Sequence, residues 1–479
     1  MFSTHPLIPL LIIPLLFSLG ILIHPLKKES FIKTLLFSSS ALTLLYSFSL
    51  WNNLNGSIIE TYEWLPSLGI SFSLKLDSLS LCMIIMTSLV CFLSFLGIKT
   101  HQKHNRIFAT LFLLLQSALY GTFLAHDLFL FYFFWEMALL PMIFIVGVWG
   151  GDDRFKSTLK FFLYTLFGSL SMLMAIIFLV VQHKTQMGTL SSNYLDVQKI
   201  ILASPYASWF FWGFTLAFLI KIPQFPFHNW QPDLYTQAPP AGAIFLSALM
   251  AKMGTYGLLR FSIGLFPEQA KIMAPILIAL ATFSIIYGAI CAWSQTDFRR
   301  LIAYSSLSHS GFIVLGLFTL TPLGITGAIY QMFNHALLAC AMFILAHALY
   351  ERVNSYSSDD MRGLASKLPW LALTFFILTL SAISLPGTNN FAGEFVILLS
   401  SFSYHPFIAI LAGTGVIFSA LYSLKFYRKL MLGTYEAKFA TTLFDLRPYE
   451  IIVMSILTIF IFGIGLFPSF FFAKMQVLP

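Results

Sequence analysis

Residues 220–230 read IKIPQFPFHNW and interrupt the apolar run 209–219 with a lysine, two prolines and a histidine. Pro223 and Pro226 remove backbone hydrogen-bond donors and clash with the preceding turn, so a helix that arrives here must break just after Lys221. In a soluble protein this stretch would be a surface turn. Its meaning therefore depends on the solvent that surrounds the rest of the chain.

The composition indicates that this solvent is largely lipid. Of the 479 residues, 58% are hydrophobic and only 10% are charged, whereas a soluble globular protein carries roughly 25% charged residues. Apolar runs of about 20 residues, each long enough to cross a hydrocarbon core of about 30 Å as a helix, recur along the chain. We identify fourteen of them, at 7–24, 31–51, 76–98, 106–125, 127–149, 156–182, 207–225, 240–263, 272–292, 300–318, 322–350, 370–404, 406–430 and 449–471. Polar and apolar residues do not alternate within these runs, which argues against a β-barrel. The sequence therefore predicts an all-α polytopic membrane protein of about 14 transmembrane helices.

The basic residues lie mostly on one side of the predicted membrane. When successive loops are assigned to alternate sides, nineteen Lys and Arg residues fall on one side and six on the other. The positive-inside rule makes the first side cytoplasmic, and both termini then face outward. This placement accounts for the formal net charge of +8 without nucleic acid as a partner. The first run lacks a basic flank and is long enough to span, so we interpret it as a helix and not as a signal peptide.

The four cysteines, Cys82, Cys91, Cys291 and Cys340, lie singly inside predicted spans. The sequence contains no C-x-x-C pair and no glycine-rich phosphate loop after a strand. Iron–sulfur clusters, zinc sites and disulfides are therefore not expected. We predict that the chain holds no metal and no redox cofactor of its own.

A few ionisable side chains remain inside the predicted spans. The charged ones are Glu136, Lys221, Lys252 and Glu394, and the histidines are His309, His335 and His347. Each charge at a helix centre costs about 2.5–3.5 kcal/mol on insertion scales, which favours a functional role over buried ion pairs that only hold helices together. For His347, near the end of its span, a structural role is favoured. A neutral His309 or His335 near mid-span can pass protons near pH 7.

A second interruption follows the pattern of the first. Residues 384–394 read SLPGTNNFAGE and also carry a charged residue, Glu394. Broken backbone at membrane depth is tolerated where it lines a polar cavity or is buried in protein, and two broken spans in corresponding positions indicate an inverted-repeat transporter. The predicted organisation is three N-terminal helices in 1–105, a five-helix repeat in 106–264, a second, inverted five-helix repeat in 265–432, and a cytoplasmic loop with the last helix in 433–479.

Several longer stretches resemble one protein family over nearly the whole chain. They are FWEMALLPMIFIVGVWGG, IKIPQFPFHNWQPDLYTQAPPAGAIFLSALMAKMGTYGLLRFS, DFRRLIAYSSLSHSGF, YERVNSYSSDDMRGL and LTLSAISLPGTNNFAGEFVILL. The chain resembles the antiporter-like membrane subunits of respiratory complex I, the proton-translocating NADH:quinone oxidoreductase. The resemblance implies fourteen helices with two inverted repeats. It also implies a proton relay through Glu136, Lys221, Lys252 and Glu394, with His309 and His335 between them. We expect Glu136 to pair with Lys221 and to release it when the pair opens.

Within that family, the resemblance favours the M-type branch, called chain 4 in mitochondria. The sister L and N types carry lysine where this chain has Glu394, and the L type continues into a lateral helix, whereas this chain ends at Pro479. The implied partners are the L- and N-type subunits and lipids, while NADH, FMN, iron–sulfur clusters and quinone are expected on other subunits. The chain departs from the family at Tyr235, where histidine is common, and at Gln224, where an apolar residue is usual, so no role is carried over to either.

Other classes of membrane protein share this pattern of charged residues inside the predicted spans. A subunit of a multisubunit cation/proton antiporter, driven by an ion gradient, is the main alternative, and a hydrogenase or photosynthetic complex is a further one. A purely structural multispan protein would leave the four mid-membrane charges unexplained. The expected location is a bacterial inner (plasma) membrane, with the mitochondrial inner membrane as the alternative.

Overall fold

The computed structural model describes residues 5–23, 29–54, 56–98, 105–201, 204–438 and 443–470. Helices dominate, and we number them in chain order. They are α1 (Ile8–Ile23), α2 (Glu29–Asn53), α3 (Ser78–Gly97), α4 (Asn105–Leu124), α5 (Leu128–Trp149), α6 (Arg154–Met187), α7 (Tyr194–Ile201), α8 (Ala207–Lys221), α9 (Trp230–Gln237), α10 (Pro240–Ile263), α11 (Pro267–Trp293), α12 (Phe298–Phe318), α13 (Pro322–Val353), α14 (Pro369–Ala382), α15 (Asn389–Tyr404), α16 (Pro406–Met431) and α17 (Pro448–Leu466). In the described chain, eleven helices are long and apolar enough to cross a membrane, and three shorter apolar helices are α1, α8 and α14. Each of the fourteen predicted runs overlaps one of these helices, which confirms the predicted fold class.

Some local elements lie outside the sequence predictions. Strands β1 (Ile58–Leu65) and β2 (Ile70–Leu76) form an antiparallel hairpin between α2 and α3. The hairpin contacts the segment between α4 and α5, where Ser71 donates from its amide and its hydroxyl to Asp127 at 3.1 Å. α10 contains two π-helical segments, Phe245–Met250 and Leu258–Ile263. The hairpin therefore packs against the connection between α4 and α5, and the π-helical segments change the winding of α10.

The first helix break lies where the prolines predict it. α8 ends at Lys221, and the chain turns through 222–229 before α9 begins. The Trp230 indole donates from Nε1 to the Ile220 carbonyl at 3.0 Å, and the Phe225 amide donates to Ser284 Oγ at 3.0 Å. These side chains satisfy backbone groups that hydrocarbon cannot satisfy. The predicted break after Lys221 is confirmed.

The second break divides the predicted run 370–404 into two helices. α14 ends at Ala382, and α15 begins at Asn389. The Ser419 hydroxyl donates to the Ala382 carbonyl at 2.8 Å, and the Asn334 side-chain amide donates to the Asn389 carbonyl at 2.7 Å. Both breaks are thus held by protein contacts, as broken backbone at membrane depth requires. The division into inverted repeats at 106–264 and 265–432 stays a prediction.

A buried ion pair fastens the last helix to the bundle. Arg352, near the end of α13, contacts Glu450, in the first turn of α17, with 2.6 Å between Nη2 and Oε2. Arg352 also donates to the carbonyls of Ala348, Phe444 and Asp445. These acceptors keep a fully buried guanidinium paired, which is the condition for tolerating it there. The sequence places both residues near helix ends but gives no sign that they are buried together.

We expect single cysteines at Asp152 and Lys367 to be labelled from the cytoplasmic side, and those at Ser67 and Gln186 from the outside. The positive-inside rule sets the sides, and all four positions are exposed. The measurement is labelling with a membrane-impermeant maleimide in vesicles of known orientation, in a background that carries Cys291→Ser. If the cysteines at Asp152 and Lys367 react from opposite faces, one of the intervening helices does not cross the membrane.

Candidate functional site

Five of the six candidate side chains are buried inside the helix bundle. Lys252, His309 and His335 lie near the middle of α10, α12 and α13, respectively. Lys221 and Glu394 lie at the two helix breaks. Each of the five residues is at most 3% exposed. Groups this deeply buried cannot exchange freely with bulk water, so their protein neighbours decide what they can do.

Lys252 and His335 are in direct contact. The Lys252 Nζ lies 2.5 Å from His335 Nδ1 and also donates to the Ser247 carbonyl at 2.9 Å. Because a lysine nitrogen has hydrogens to donate, we assign His335 Nδ1 as the acceptor and place the ring hydrogen on Nε2, which lies 3.2 Å from Ser306 Oγ. The pair is therefore oriented to transfer a proton from one nitrogen to the other.

His309 and Glu394 form the second contact. His309 Nδ1 lies 2.6 Å from Glu394 Oε1, which also accepts from Gln331 Nε2 at 3.1 Å. The Ser384 hydroxyl, supplied by the second helix break, donates to Glu394 Oε2 at 2.6 Å. The second break thus supplies a hydrogen-bond donor to the buried carboxyl group of Glu394.

The two pairs join into one series. The rings of His309 and His335 lie with their centroids 5.6 Å apart. Lys252, His335, His309 and Glu394 come from α10, α13, α12 and α15, so the series connects four helices. The structure therefore brings together four of the six residues that the sequence singled out.

Lys221 and Glu136 do not form a contact ion pair. Their charged atoms are not within 4.0 Å of each other, and neither Lys221 Nζ nor Glu136 Oε1 has a hydrogen-bond partner among the described residues. Lys221 Nζ instead lies 5.2 Å from the centre of the Trp135 ring and 5.5 Å from that of Phe161. Aromatic faces can stabilise an ammonium group at such distances. Glu136 is half-buried, and the expected contact between Glu136 and Lys221 is not formed in this structure.

The sequence analysis does not identify four polar residues that contact the series. They are Ser247, Ser306, Gln331 and Ser384. Gln331 precedes His335 by one helical turn, and Ser306 precedes His309 by about one turn, so both could have been found from helical spacing. Ser247 lies in a π-helical segment and Ser384 in the second break, so the spacing of an α-helix does not point to either.

The two positions that depart from the family pattern are both buried, Gln224 in the first break and Tyr235 on α9. Gln224 donates from Nε2 to the Leu280 carbonyl at 3.3 Å, while its Oε1 has no partner among the described residues. The Tyr235 hydroxyl likewise has no partner within hydrogen-bond distance in that part of the chain. His347 lies apart from the series, with Nε2 3.9 Å from the Glu351 carboxylate.

Comparisons with known proteins identify the family of the chain. The family model of the NADH:quinone oxidoreductase/Mrp antiporter transmembrane proteins matches residues 125–420. Subunit M of the NADH-quinone oxidoreductase of Rickettsia prowazekii is 37% identical over 431 residues, which cover 90% of this chain and 87% of that protein. The matched regions contain all six candidate residues.

Solved structures show the same fold. A chain of respiratory complex I from Thermus thermophilus aligns with a TM-score of 0.88 at 32% identity, covering 98% of this chain and 97% of that one. A chain of the Mrp complex from Dietzia sp. aligns with a TM-score of 0.87 at 19% identity, covering 99% and 97%, which shows a shared fold alone. The chain belongs to the NADH:quinone oxidoreductase/Mrp antiporter transmembrane family and is of the subunit M type.

Proposed function

We propose that this chain translocates protons as the M-type membrane-arm subunit of an NADH:quinone oxidoreductase. The observation that carries the proposal is the buried series of contacts from Lys252 through His335 and His309 to Glu394. These groups are ionisable, lie at mid-depth and follow one another closely, and ionisable residues inside a membrane mark proton and ion pathways. The identity with subunit M of a known NADH-quinone oxidoreductase supports the choice of enzyme.

Proton transfer along this series needs no covalent chemistry. Lys252 gives a proton from Nζ to His335 Nδ1, and His335 releases the hydrogen held on its Nε2. His309 takes up a proton and passes it through its Nδ1 to Glu394 Oε1. Each ring thus gains one proton and loses one, and transfer in the opposite direction uses the same contacts.

Glu136 and Lys221 form the controlling end of the proposed relay. Two opposite unit charges attract by about 3 kcal/mol at about 5 Å and by about half of that at about 10 Å, for an effective dielectric constant near 20. A change in the distance between α5 and α8 therefore changes the free energy of a proton on Lys221 by about 1–2 kcal/mol. A motion driven by a remote redox reaction can use this difference to load or unload the lysine.

The partners follow from the proposed enzyme. We propose that the chain works beside other membrane subunits, in particular L- and N-type subunits, and in contact with lipids. NADH, FMN, iron–sulfur clusters and quinone are assigned to other subunits, and this chain supplies no redox centre. A bacterial inner membrane is the proposed location, supported by the bacterial source of the subunit M relative.

A subunit of a multisubunit cation/proton antiporter is the second candidate, because the Mrp chain shares the fold. The two functions differ in what drives them. We expect NADH oxidation to acidify inverted vesicles that hold the purified complex, and a sodium gradient alone to leave their pH unchanged. Acidification by the sodium gradient, with no NADH-oxidising proteins bound to this chain in mild detergent, would support the antiporter instead.

Replacing Glu136 with Gln should abolish most proton pumping and most coupled quinone reduction. Gln keeps the side-chain volume but removes the charge that favours a proton on Lys221. Assembly should be unaffected, since Glu136 makes no contact ion pair. The measurement is NADH-driven acidification of vesicles, normalised to assembled complex.

The matched control for this variant is Glu268→Gln, which makes the same change at an exposed acid in the first turn of α11. It should pump at the wild-type rate. Near-normal pumping by an assembled Glu136→Gln complex would refute control of Lys221 by Glu136.

Variants at Glu394 should pump in the order Glu > Asp > Lys ≥ Gln, with assembly intact in all of them. Asp keeps the carboxyl group but is one methylene shorter, so its contact with His309 weakens. Lys can also carry a proton, but it replaces an anion beside His309 with a cation and should load poorly. Gln cannot be loaded at all. Full pumping by Glu394→Gln would mean that the residue is structural and that protons leave by another route.

A further inference from the structure

The side-chain amide of Gln331 has one end bound and the other end without a partner. Gln331 lies on α13 and is fully buried, and its Nε2 donates to Glu394 Oε1 at 3.1 Å. Its own Oε1 is buried with no hydrogen-bond partner among the described residues. We assign the NH₂ end to the side of Glu394 because an ionised carboxylate can only accept hydrogen bonds. A buried carbonyl oxygen without a donor is destabilising, so packing alone does not account for an amide at this position.

The unbound end of this amide lies against the backbone of α15. A methyl group added to Gly393, the residue before Glu394, would overlap Gln331 Oε1 and would lie 3.2 Å from Gln331 Cβ. Any residue other than glycine would therefore have to displace the amide. One turn earlier on α13, Gly327 approaches α15 in the same way, since a methyl group there would lie 2.9 Å from Val396. The two glycines let α13 and α15 approach closely, and Gly393 leaves the space in which the amide of Gln331 stands.

The unpartnered oxygen of Gln331 is the acceptor that a protonated Glu394 requires. In the proposed relay, His309 passes a proton through Nδ1 to Glu394 Oε1, 2.6 Å away. The same oxygen of Glu394 faces Gln331, so rotation of the new hydroxyl group about its C–O bond turns the hydrogen from His309 toward the amide. An NH₂ group cannot accept this hydrogen, whereas the carbonyl end of the amide can. When the amide turns over, its Oε1 replaces Nε2 beside the carboxyl group.

Ser384 keeps the carboxyl group in place during this exchange. Its hydroxyl group donates to Glu394 Oε2 at 2.6 Å. The carboxyl group is therefore held at one oxygen, and only the hydrogen on Oε1 and the amide of Gln331 have to turn. Both are local side-chain rotations, so the exchange needs no movement of α13 or α15.

We propose that Gln331 acts as a valve that turns its amide according to the protonation state of Glu394. The inference rests on the proposed function and adds to it. Facing the carboxylate, Gln331 donates from Nε2, and facing the carboxylic acid, it accepts through Oε1. No bond to Gln331 forms or breaks: the proton that leaves His309 Nδ1 stays on Glu394 Oε1 until its release, and the amide then turns back. While Gln331 binds the hydrogen, it is held away from His309, which slows its return and gives the transfer a direction.

The test is Gln331→Met in the intact complex, which keeps an unbranched side chain of similar size and removes both ends of the amide. We expect fewer protons to be pumped for each NADH oxidised, by up to the share of this subunit, because protons return to His309. NADH oxidation itself should continue. A merely structural role would slow pumping and NADH oxidation together and would leave their ratio unchanged.

An infrared signature follows the hydrogen itself. The protonated carboxyl group of Glu394 absorbs through its C=O stretch in difference spectra recorded on addition of NADH, and its band is identified by its loss in Glu394→Gln. In Gln331→Met this band should move, because the hydroxyl group on Glu394 has lost its acceptor. Gln116→Met is the matched control: it removes an equally buried amide, which donates to Tyr120 and Thr43 away from the relay. It should leave both the band and the pumping ratio unchanged.

Gly393 provides a second variant. Gly393→Ala fills the space beside Gln331 Oε1, so the amide cannot turn, and the pumping ratio should fall as in Gln331→Met. Gly413→Ala, on α16, is its control, because no described atom of another residue lies within 4 Å of a methyl group added there. Combining Gln331→Ala with Gly393→Ala removes the overlap but supplies no amide, so the ratio should stay low. Recovery of the ratio in this double variant would show that only the packing of α13 on α15 matters, and would overturn the proposal.

The outcomes also separate this inference from the proposed function. An unchanged pumping ratio and an unmoved carboxyl band in Gln331→Met and Gly393→Ala, with Glu394→Gln inactive, would overturn the valve and leave the relay standing. Normal pumping in Glu394→Gln as well would overturn both. If Gln331→Met does not assemble, Gly393→Ala and the double variant decide.

Discussion

A broken helix in hydrocarbon has only the protein itself to satisfy its backbone, and this constraint shapes the whole site. At the first break, the Trp230 indole and the Ser284 hydroxyl supply the missing partners. At the second break, Ser419 and Asn334 do so. Once the backbone is satisfied in this way, an ionisable side chain can stand at the same depth beside polar neighbours. Lys221 and Glu394 occupy these two places, so the breaks decide where the ends of the relay lie.

The two ends are built differently. Glu394 accepts hydrogen bonds from Ser384 and Gln331 and contacts His309, which fixes its carboxyl group in one position. Lys221 Nζ lies near the rings of Trp135 and Phe161 and has no hydrogen-bond partner among the described residues. A group with few fixed partners responds strongly to small movements of the charges around it. This asymmetry suits a relay that is controlled at one end and discharged at the other.

Much of the fold can be predicted from the sequence because the bilayer allows so few solutions. Runs such as 106–125 and 300–318 read directly as helices Asn105–Leu124 and Phe298–Phe318, since only a helix satisfies its own backbone there. The break after Lys221 follows from the chemistry of Pro223. The hairpin of β1 and β2 lies between two spans and is short, so hydropathy gives no sign of it. The π-helical segments have no sequence signature at all.

The site is less predictable than the fold. The cost of burying charge singles out Lys252 and Glu394 without any structure. The contacts of Lys252 with His335 and of His309 with Glu394 join residues far apart in the chain, so only the packing of α10, α12, α13 and α15 reveals them. The distance between Glu136 and Lys221 depends on the placement of α5 against α8, and the sequence contains no information on it at that scale.

The common depth of the series has an electrical consequence. Moving one elementary charge through a membrane potential of 100 mV takes about 2.3 kcal/mol, but only the component of the path along the membrane normal counts. Lys252, His335 and His309 all lie near the middle of membrane-length helices, so a proton passing between them moves sideways and does almost no work against the potential. The work of energy storage is therefore confined to the steps between mid-membrane and the two surfaces. In a voltage-clamped membrane, proton transfer along the series would produce almost no current. Proton uptake from one surface and proton release at the other would carry the measured current.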